Sequence, residues 1–211
     1  PESCDHVDII GVYFSVGDDC IAIKSGKIYM GRKYKTPSSN FNIRNCSMNF
    51  GHGAVVLGSE MSGGMKNINV TQCLFNQTDR GLRIKTRRGR GKDAIIDGIT
   101  FENIEMNDVL TPLVINMFYF CDPDGHSDYV QTKEILPVDD RTPYLGKFEF
   151  KNINCKNVNV AAGTFYGLPE APIKSITLEN INFKYASNPK KDRPAMMDGL
   201  DPMSGEGLIF N

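Results

Sequence analysis

The sequence predicts an all-β chain wound as a right-handed parallel β-helix, a solenoid. Three observations lead there: an apolar segment recurs six times, the copies are irregularly spaced, and no sustained helical period appears anywhere. The copies are VDIIGVYF from Val7, FNIRNCSM from Phe41, INVTQCLF from Ile68, ITFENIEM from Ile99, FEFKNINC from Phe148 and ITLENINF from Ile176. Their start-to-start spacings are 34, 27, 31, 49 and 28 residues, as expected when loops of different length interrupt one common coil.

In every copy the first, third, sixth and eighth residues are apolar or cysteine. The alternation at positions one and three is that of a strand; the mostly polar fourth and fifth residues then shift the phase, so positions six and eight return to the interior. Stacked, position six reads Val12, Cys46, Cys73, Ile104, Ile153 and Ile181, and position eight reads Phe14, Met48, Phe75, Met106, Cys155 and Phe183. A solenoid needs such ladders, because each coil buries its apolar face only against its neighbours. Residues 1–211 are read as one β-helix domain of six coils, with a long irregular insertion at about 120–145. The sequence starts at Pro1 and stops at Asn211 in mid-pattern, so the expectation is a fragment truncated at both ends.

The ladders also classify the cysteines. Cys46, Cys73 and Cys155 take inward positions, where a thiol behaves as a small hydrophobe. No Cys-x-x-Cys spacing suggests zinc, and Cys4, Cys20 and Cys121 stay unassigned. The sequons at Asn45, Asn69 and Asn76 fall in or beside repeat strands and are read as chance matches. A formal net charge of −1 argues against a nucleic-acid partner or a polybasic membrane anchor, and no apolar run approaches the ~20 residues of a membrane span. The local run RIKTRRGRGK, residues 83–92, reads by itself as a solvated loop.

A second strand follows several copies. Cys20–Lys24 aligns with Ala54–Gly58 and with Gly81–Lys85, which turns Ile21, Val55 and Leu82, then Ile23, Leu57 and Ile84, inward. Ala22, Val56 and Arg83 form one outward ladder, and Lys24, Gly58 and Lys85 the next. Just ahead, Asp18, His52 and Asp79 occupy equivalent places on coils that stack roughly 4.8 Å apart. Carboxylates, an imidazole and two cations thus share one patch. Taken singly, Asp18-Asp19 is a turn, Gly51-His52-Gly53 a tight bend and Arg83-Ile84-Lys85 an ordinary strand; their convergence points to chemistry. Glycoside hydrolysis needs one carboxyl as acid and another as base, and neighbouring carboxylates help keep one protonated. Arg83 and Lys85 alongside suit an anionic sugar. Both Asp18 and Asp19 reach the cleft only if the chain bends, which Gly17 permits.

At these residues the sequence resembles glycoside hydrolase family 28, the polygalacturonases: Gly17-Asp18-Asp19, Gly51-His52-Gly53 and Arg83-Ile84-Lys85 occur in the family's order, and the similarity runs over essentially the whole chain. The resemblance implies metal-free, cofactor-free, inverting hydrolysis of α-1,4-galacturonosyl bonds in polygalacturonate or pectin. It assigns Asp18 as general acid, Asp19 to position and deprotonate water, His52 to support the acid, and Arg83 and Lys85 to bind the galacturonate carboxylate. It also implies a further Asp in an Asn-Thr-Asp motif ahead of Pro1-Glu2-Ser3-Cys4; that motif is not in these 211 residues, so the fragment alone is expected to be inactive. Gly58–Gly64 and Thr86–Gly91 are similar to bacterial members, which favours exo action. The stretch Cys121–Pro143 is then expected to wall off one end of the cleft. Competing readings are a calcium-dependent pectate lyase, a rhamnogalacturonan hydrolase and a non-catalytic glycan-binding β-helix. An extracellular or periplasmic location is favoured over a cytoplasmic one.

Overall fold

A computed structural model describes all 211 residues. In chain order the first coils hold β1 (Asp5–Ile10), β2 (Tyr13–Ser15), β3 (Ile21–Ile23), helix α1 (Ile28–Tyr34), β4 (Ser38–Arg44), β5 (Ser47–Asn49) and β6 (Val55–Gly58). The middle holds β7 (Met65–Asn76), β8 (Arg80–Lys85), β9 (Ile95–Asn107) and β10 (Thr111–Asn116), then a 3-10 turn (Pro123–His126) and helix α2 (Asp128–Gln131). The remainder is β11 (Tyr144–Leu145), β12 (Lys147–Val158), β13 (Ala161–Tyr166), β14 (Ser175–Tyr185) and β15 (Glu206–Phe210).

The strands form a right-handed parallel β-helix with two sheets. One runs β1-β4-β7-β9-β12-β14 and carries the six repeats; the other runs β15-β13-β10-β8-β6-β3. Register follows the repeat: Val7 lies beside Phe41, then Ile68, Ile99, Phe148 and Ile176 in succession. Phe14, Met48, Phe75, Met106, Cys155 and Phe183 stack likewise. The phase shift has a backbone cause. The fifth residue of every copy has positive φ: Gly11 (68°), Asn45 (55°), Gln72 (54°), Asn103 (57°), Asn152 (53°) and Asn180 (53°). Asparagine enters this left-handed region more readily than most residues. Asn180 donates an amide N–H to Asn152 at 3.0 Å, and Asn152 to Asn103 at 3.1 Å, so the polar kinks support one another from coil to coil.

The interior is a continuous apolar column in which Phe75, Phe101, Phe150 and Phe165 meet ring to ring, with the exposed Phe210 stacked on Phe165 at its end. Cys46, Cys73 and Cys155 are buried in it as free thiols, and burial pushes Cys73 up to about 11 and Cys155 to about 12. Cys4 and Cys20 are half-buried and Cys121 is exposed. Two details differ from the sequence reading. Val12, expected inside, is 37% exposed, because it falls in the gap between β1 and β2, on the coil that has a neighbour on one side only. The seven-residue α1 appears between the first two copies, where the repeat offers no sign of it.

Phe101→Ala, which empties a fully buried ring position, is expected to cost about 3–5 kcal/mol. Ile135→Ala, at a side chain 76% exposed, should stay within about 0.5 kcal/mol. Urea unfolding midpoints compare the two; equal shifts would remove the stacked column as the source of stability.

Candidate active site

The outward face of the second sheet assembles the expected patch. Ala22, Val56, Arg83, Val114 and Thr164 stand in one row, and Gly58, Lys85, Asn116 and Tyr166 in the next. Ahead of the strands the backbone ladder continues: the His52 N–H donates to the Asp18 carbonyl at 3.1 Å and the Asp79 N–H to the Gly51 carbonyl at 3.0 Å. Asp18, His52 and Asp79 are therefore neighbours on three coils. The glycines around His52 are sterically required. A Cβ on Gly51 would lie 2.5 Å from Cys20 Sγ; one on Gly53 would lie 2.4 Å from Val56 Cγ2 and 3.2 Å from Asp19 Oδ1.

Asp18 and Asp19 part company at the bend over Gly17 and Asp18. Asp18 is exposed, and its Oδ1 accepts the Asp19 N–H at 2.8 Å. Asp19 turns over β8, where Lys85 Nζ donates to its Oδ2 at 2.8 Å and Arg83 Nη1 lies 3.5 Å from its Oδ1. That Oδ1 is buried and accepts no hydrogen bond from the protein. His52 Nδ1 lies 2.5 Å from Asp79 Oδ2. The His52 hydrogen bond lowers the Asp79 pKa against the opposing effect of burial, with help from the charges of Arg80 and Arg83. Burial and the neighbouring Arg83 lower the Lys85 pKa, and Asp19 opposes them. Tyr119, which sequence reasoning missed, offers its ring face to both cations, 5.9 Å from Arg83 Cζ and 5.6 Å from Lys85 Nζ. The strand register pairs Asn116 with Lys85, and Tyr119 stands three residues further on; that register was the signal available.

The sequence profile of glycosyl hydrolases family 28 matches residues 1–191. The chain belongs to that family. Among curated relatives, a probable polygalacturonase of Vitis vinifera is 30% identical over 195 residues, covering 90% of this chain and 36% of that protein. An exo-poly-alpha-D-galacturonosidase of Dickeya chrysanthemi is 32% identical over 159 residues, 75% of this chain and 24% of that protein. The solved exopolygalacturonase of Thermotoga maritima shares the fold, with TM-score 0.76 at 24% identity, covering all of this chain and 43% of its own. The chain thus spans less than half the length of each of these relatives.

In this family 28 chain the basic run after β8 corrects the sequence reading. It is not a solvated loop: Arg83, Lys85, Arg87, Arg88 and Arg90 are all buried. Arg87 donates to Asp122 and Asp124 at 2.8–3.0 Å, and Arg90 donates to Asp122 at 3.0 Å. Arg88, 1% exposed, forks onto Glu170 at 2.6 and 2.9 Å and donates to the carbonyls of Tyr129, Val130, Thr132 and Glu134. Burial raises the Glu170 pKa, but the hydrogen bond and charge of Arg88 together with backbone hydrogen bonds outweigh it, and the net direction is down. The run is a clamp on the long insertion. A second unanticipated part is the strap Asp192–Met203. Arg80 donates to the carbonyls of Arg193 and Pro194 at 2.8 Å, Asn116 to the Met196 carbonyl at 3.0 Å, and Arg83 Nη2 meets Met196 Sδ at 2.9 Å. His126 and Gln131 of the insertion hold Asp198 of the strap.

Two outcomes follow from this geometry. The lowered Asp79 pKa makes its pairing with His52 fully stabilising above the unfolded carboxylate value of about 4, and that contribution is lost as pH falls through the folded value. The stability gap between wild type and Asp79→Asn should therefore narrow on acidification below about pH 4; melting temperatures across the acid range check it, and a gap independent of pH would contradict it. Arg88→Ala strands Glu170 without its partner and is expected to cost about 3–5 kcal/mol. Limited proteolysis should then open the 121–143 stretch, with Arg88→Lys restoring only part of the resistance.

Proposed function

We propose that the protein carrying this chain hydrolyses α-1,4-galacturonosyl bonds of polygalacturonate by inverting acid–base catalysis, acting from chain ends. The observation that carries this is the meeting of Asp18, Asp19 and His52 with Arg83 and Lys85 at one edge of one sheet. Asp18, exposed and next to His52 on the following coil, is the general acid that protonates the leaving oxygen. Asp19, whose carboxylate stays partly exposed against Arg83 and Lys85, is the acceptor for a proton from the attacking water. Asp79 orients the His52 ring through Nδ1, which leaves Nε2 free. Arg83 and Lys85, steadied by Asp19 and Tyr119, supply positive charge for a sugar carboxylate.

The edge beside β3 bears on the third carboxylate. The Lys24 N–H donates to the Pro1 carbonyl at 2.9 Å, and Glu2 bridges Lys24 in parallel. An Asn-Thr-Asp motif ahead of Pro1 would extend that edge alongside Asp19. The lyase reading is weaker, since Asp19 is engaged by two cations and Asp79 by His52, which leaves neither free to hold calcium. Exo action is supported by the insertion and strap that join over the sheet through His126, Gln131 and Asp198, and by the similarity to the exo-poly-alpha-D-galacturonosidase of Dickeya chrysanthemi.

The test is full-length protein with polygalacturonate and a chelator, following reducing ends and the ultraviolet absorbance of unsaturated products together. New reducing ends without that absorbance are expected, released as short products from the start, and Asp18→Asn should lower the rate at least about a hundredfold. Absorbing products would establish a lyase, and long intermediates early in the reaction would overturn exo action.

A further inference from the structure

Helix α1 follows β3 by five residues and is fixed to the body on one side only. Gly31 is buried, and a Cβ there would fall 2.4 Å from the Ser62 Cβ, so the helix lies hard against the Ser62–Gly63 turn. Arg32 Nη2 ties it to the Asp140 carbonyl at 3.1 Å. The other side shows Tyr29, 68% exposed, and Tyr34, 57% exposed. Lys33 Nζ sits 5.7 Å from the first ring centre and 5.1 Å from the second, and no carboxylate pairs with it. Two exposed tyrosines with an unpaired ammonium against their rings suit a ligand that combines an apolar face with an anionic group.

The surroundings add a net positive charge, although Lys35 pairs with Asp93 at 3.6 Å and Lys92 with Asp140 at 3.0 Å. Arg32 lines two adjoining recesses: one of about 460 Å³ with Ile28, Tyr29 and Lys33, and one of about 250 Å³ with Lys35, Lys92, Asp93 and Asp140. Cations outnumber carboxylates there, although the chain as a whole carries a formal charge of −1. The turn before α1 is tied toward the cleft edge through a shared carboxylate rather than by open basic surface, since Arg87 and Arg90 are buried. Lys27 lies 3.7 Å from Asp122, the same carboxylate that takes Arg87 and Arg90 just beyond Lys85.

We propose that α1 and its flanking turns form a second binding surface for the acidic polysaccharide, holding a stretch of the polymer remote from the bond that is cut. A polyuronate carries a carboxylate on each unit and an apolar C–H face on its rings, which matches both the cationic field and the tyrosines. The identity of the ligand rests on the polygalacturonate reading above; the place rests on this surface.

The experiment uses the full-length protein with Asp18→Asn to stop turnover, and calorimetric titration with polygalacturonate and with digalacturonate. Tyr29→Ser combined with Lys33→Glu changes two exposed side chains, so the melting temperature should hold. Polymer affinity is expected to fall about tenfold, with a weaker salt dependence, while digalacturonate affinity stays unchanged. Unchanged polymer affinity, or an equal loss for both ligands, would overturn the proposal. So would a shift from dimer to monomer on sedimentation, which would mark the surface as a contact between copies. Wild-type hydrolysis measured in parallel separates the two readings: absent reducing ends defeat the catalytic assignment, whereas the polymer comparison still reports on α1.

Discussion

Parallel coils can share one core only if each inward side chain meets another inward side chain on the next coil, and this requirement of register governs everything else in the molecule. It is met along the whole column from Val7 to Ile176 and again from Phe14 to Phe183. A one-residue slip would turn every such ladder to the outside. The left-handed residue at the fifth position of each copy enforces the register, because it reverses the phase at the same height on every coil. Asn103, Asn152 and Asn180 do two jobs there: they tolerate the backbone conformation and link coils through amide hydrogen bonds.

The same register creates an electrostatic problem on the second sheet. Strand β8 and the turn after it bring Arg80, Arg83, Lys85, Arg87, Arg88 and Arg90 out of water together. Buried charges of one sign are tolerable only when partners and hydrogen bonds surround them. Here Asp19, the Asp122–Asp124 pair and Glu170 come from three different places in the sequence, and backbone carbonyls of the insertion and the strap complete the shell. The insertion and strap are thus held by the very cations that flank the site. Asp19 belongs to both systems, neutralising Arg83 and Lys85 while keeping Oδ1 free of protein donors.

Much of this was legible in the sequence because a solenoid converts long-range contacts into local repetition. Once the six copies are aligned, the adjacency of Asp18, His52 and Asp79, and the shared face of Arg83 and Lys85, follow by counting. Counting fails where the chain leaves the repeat. The seven residues of α1, the reach of Tyr119 and the path of Asp192–Met203 lie in insertions whose geometry no periodic rule describes. The basic run was misjudged for a related reason. Arginines in a turn are solvated unless something distant covers them, and Glu170 and Tyr129–Glu134, which cover Arg88, lie some forty to eighty residues away in sequence.

Division of labour between coil and insertion also explains how a quasi-one-dimensional fold can build a site at all. A solenoid interacts only with its nearest neighbours, so three successive coils can present a carboxylate pair, an imidazole and a cation pair side by side, but on an open face. Enclosure has to come from segments that cross several coils. The strap does this by touching Arg80 and Arg83 on one coil and Asn116 on the next, and the insertion by meeting the strap at Asp198. The repeat therefore supplies the candidate site residues in register, and the irregular segments cover them from outside the repeat. Changes in the ladders should alter whether the site exists, whereas changes in the insertions should alter what reaches it.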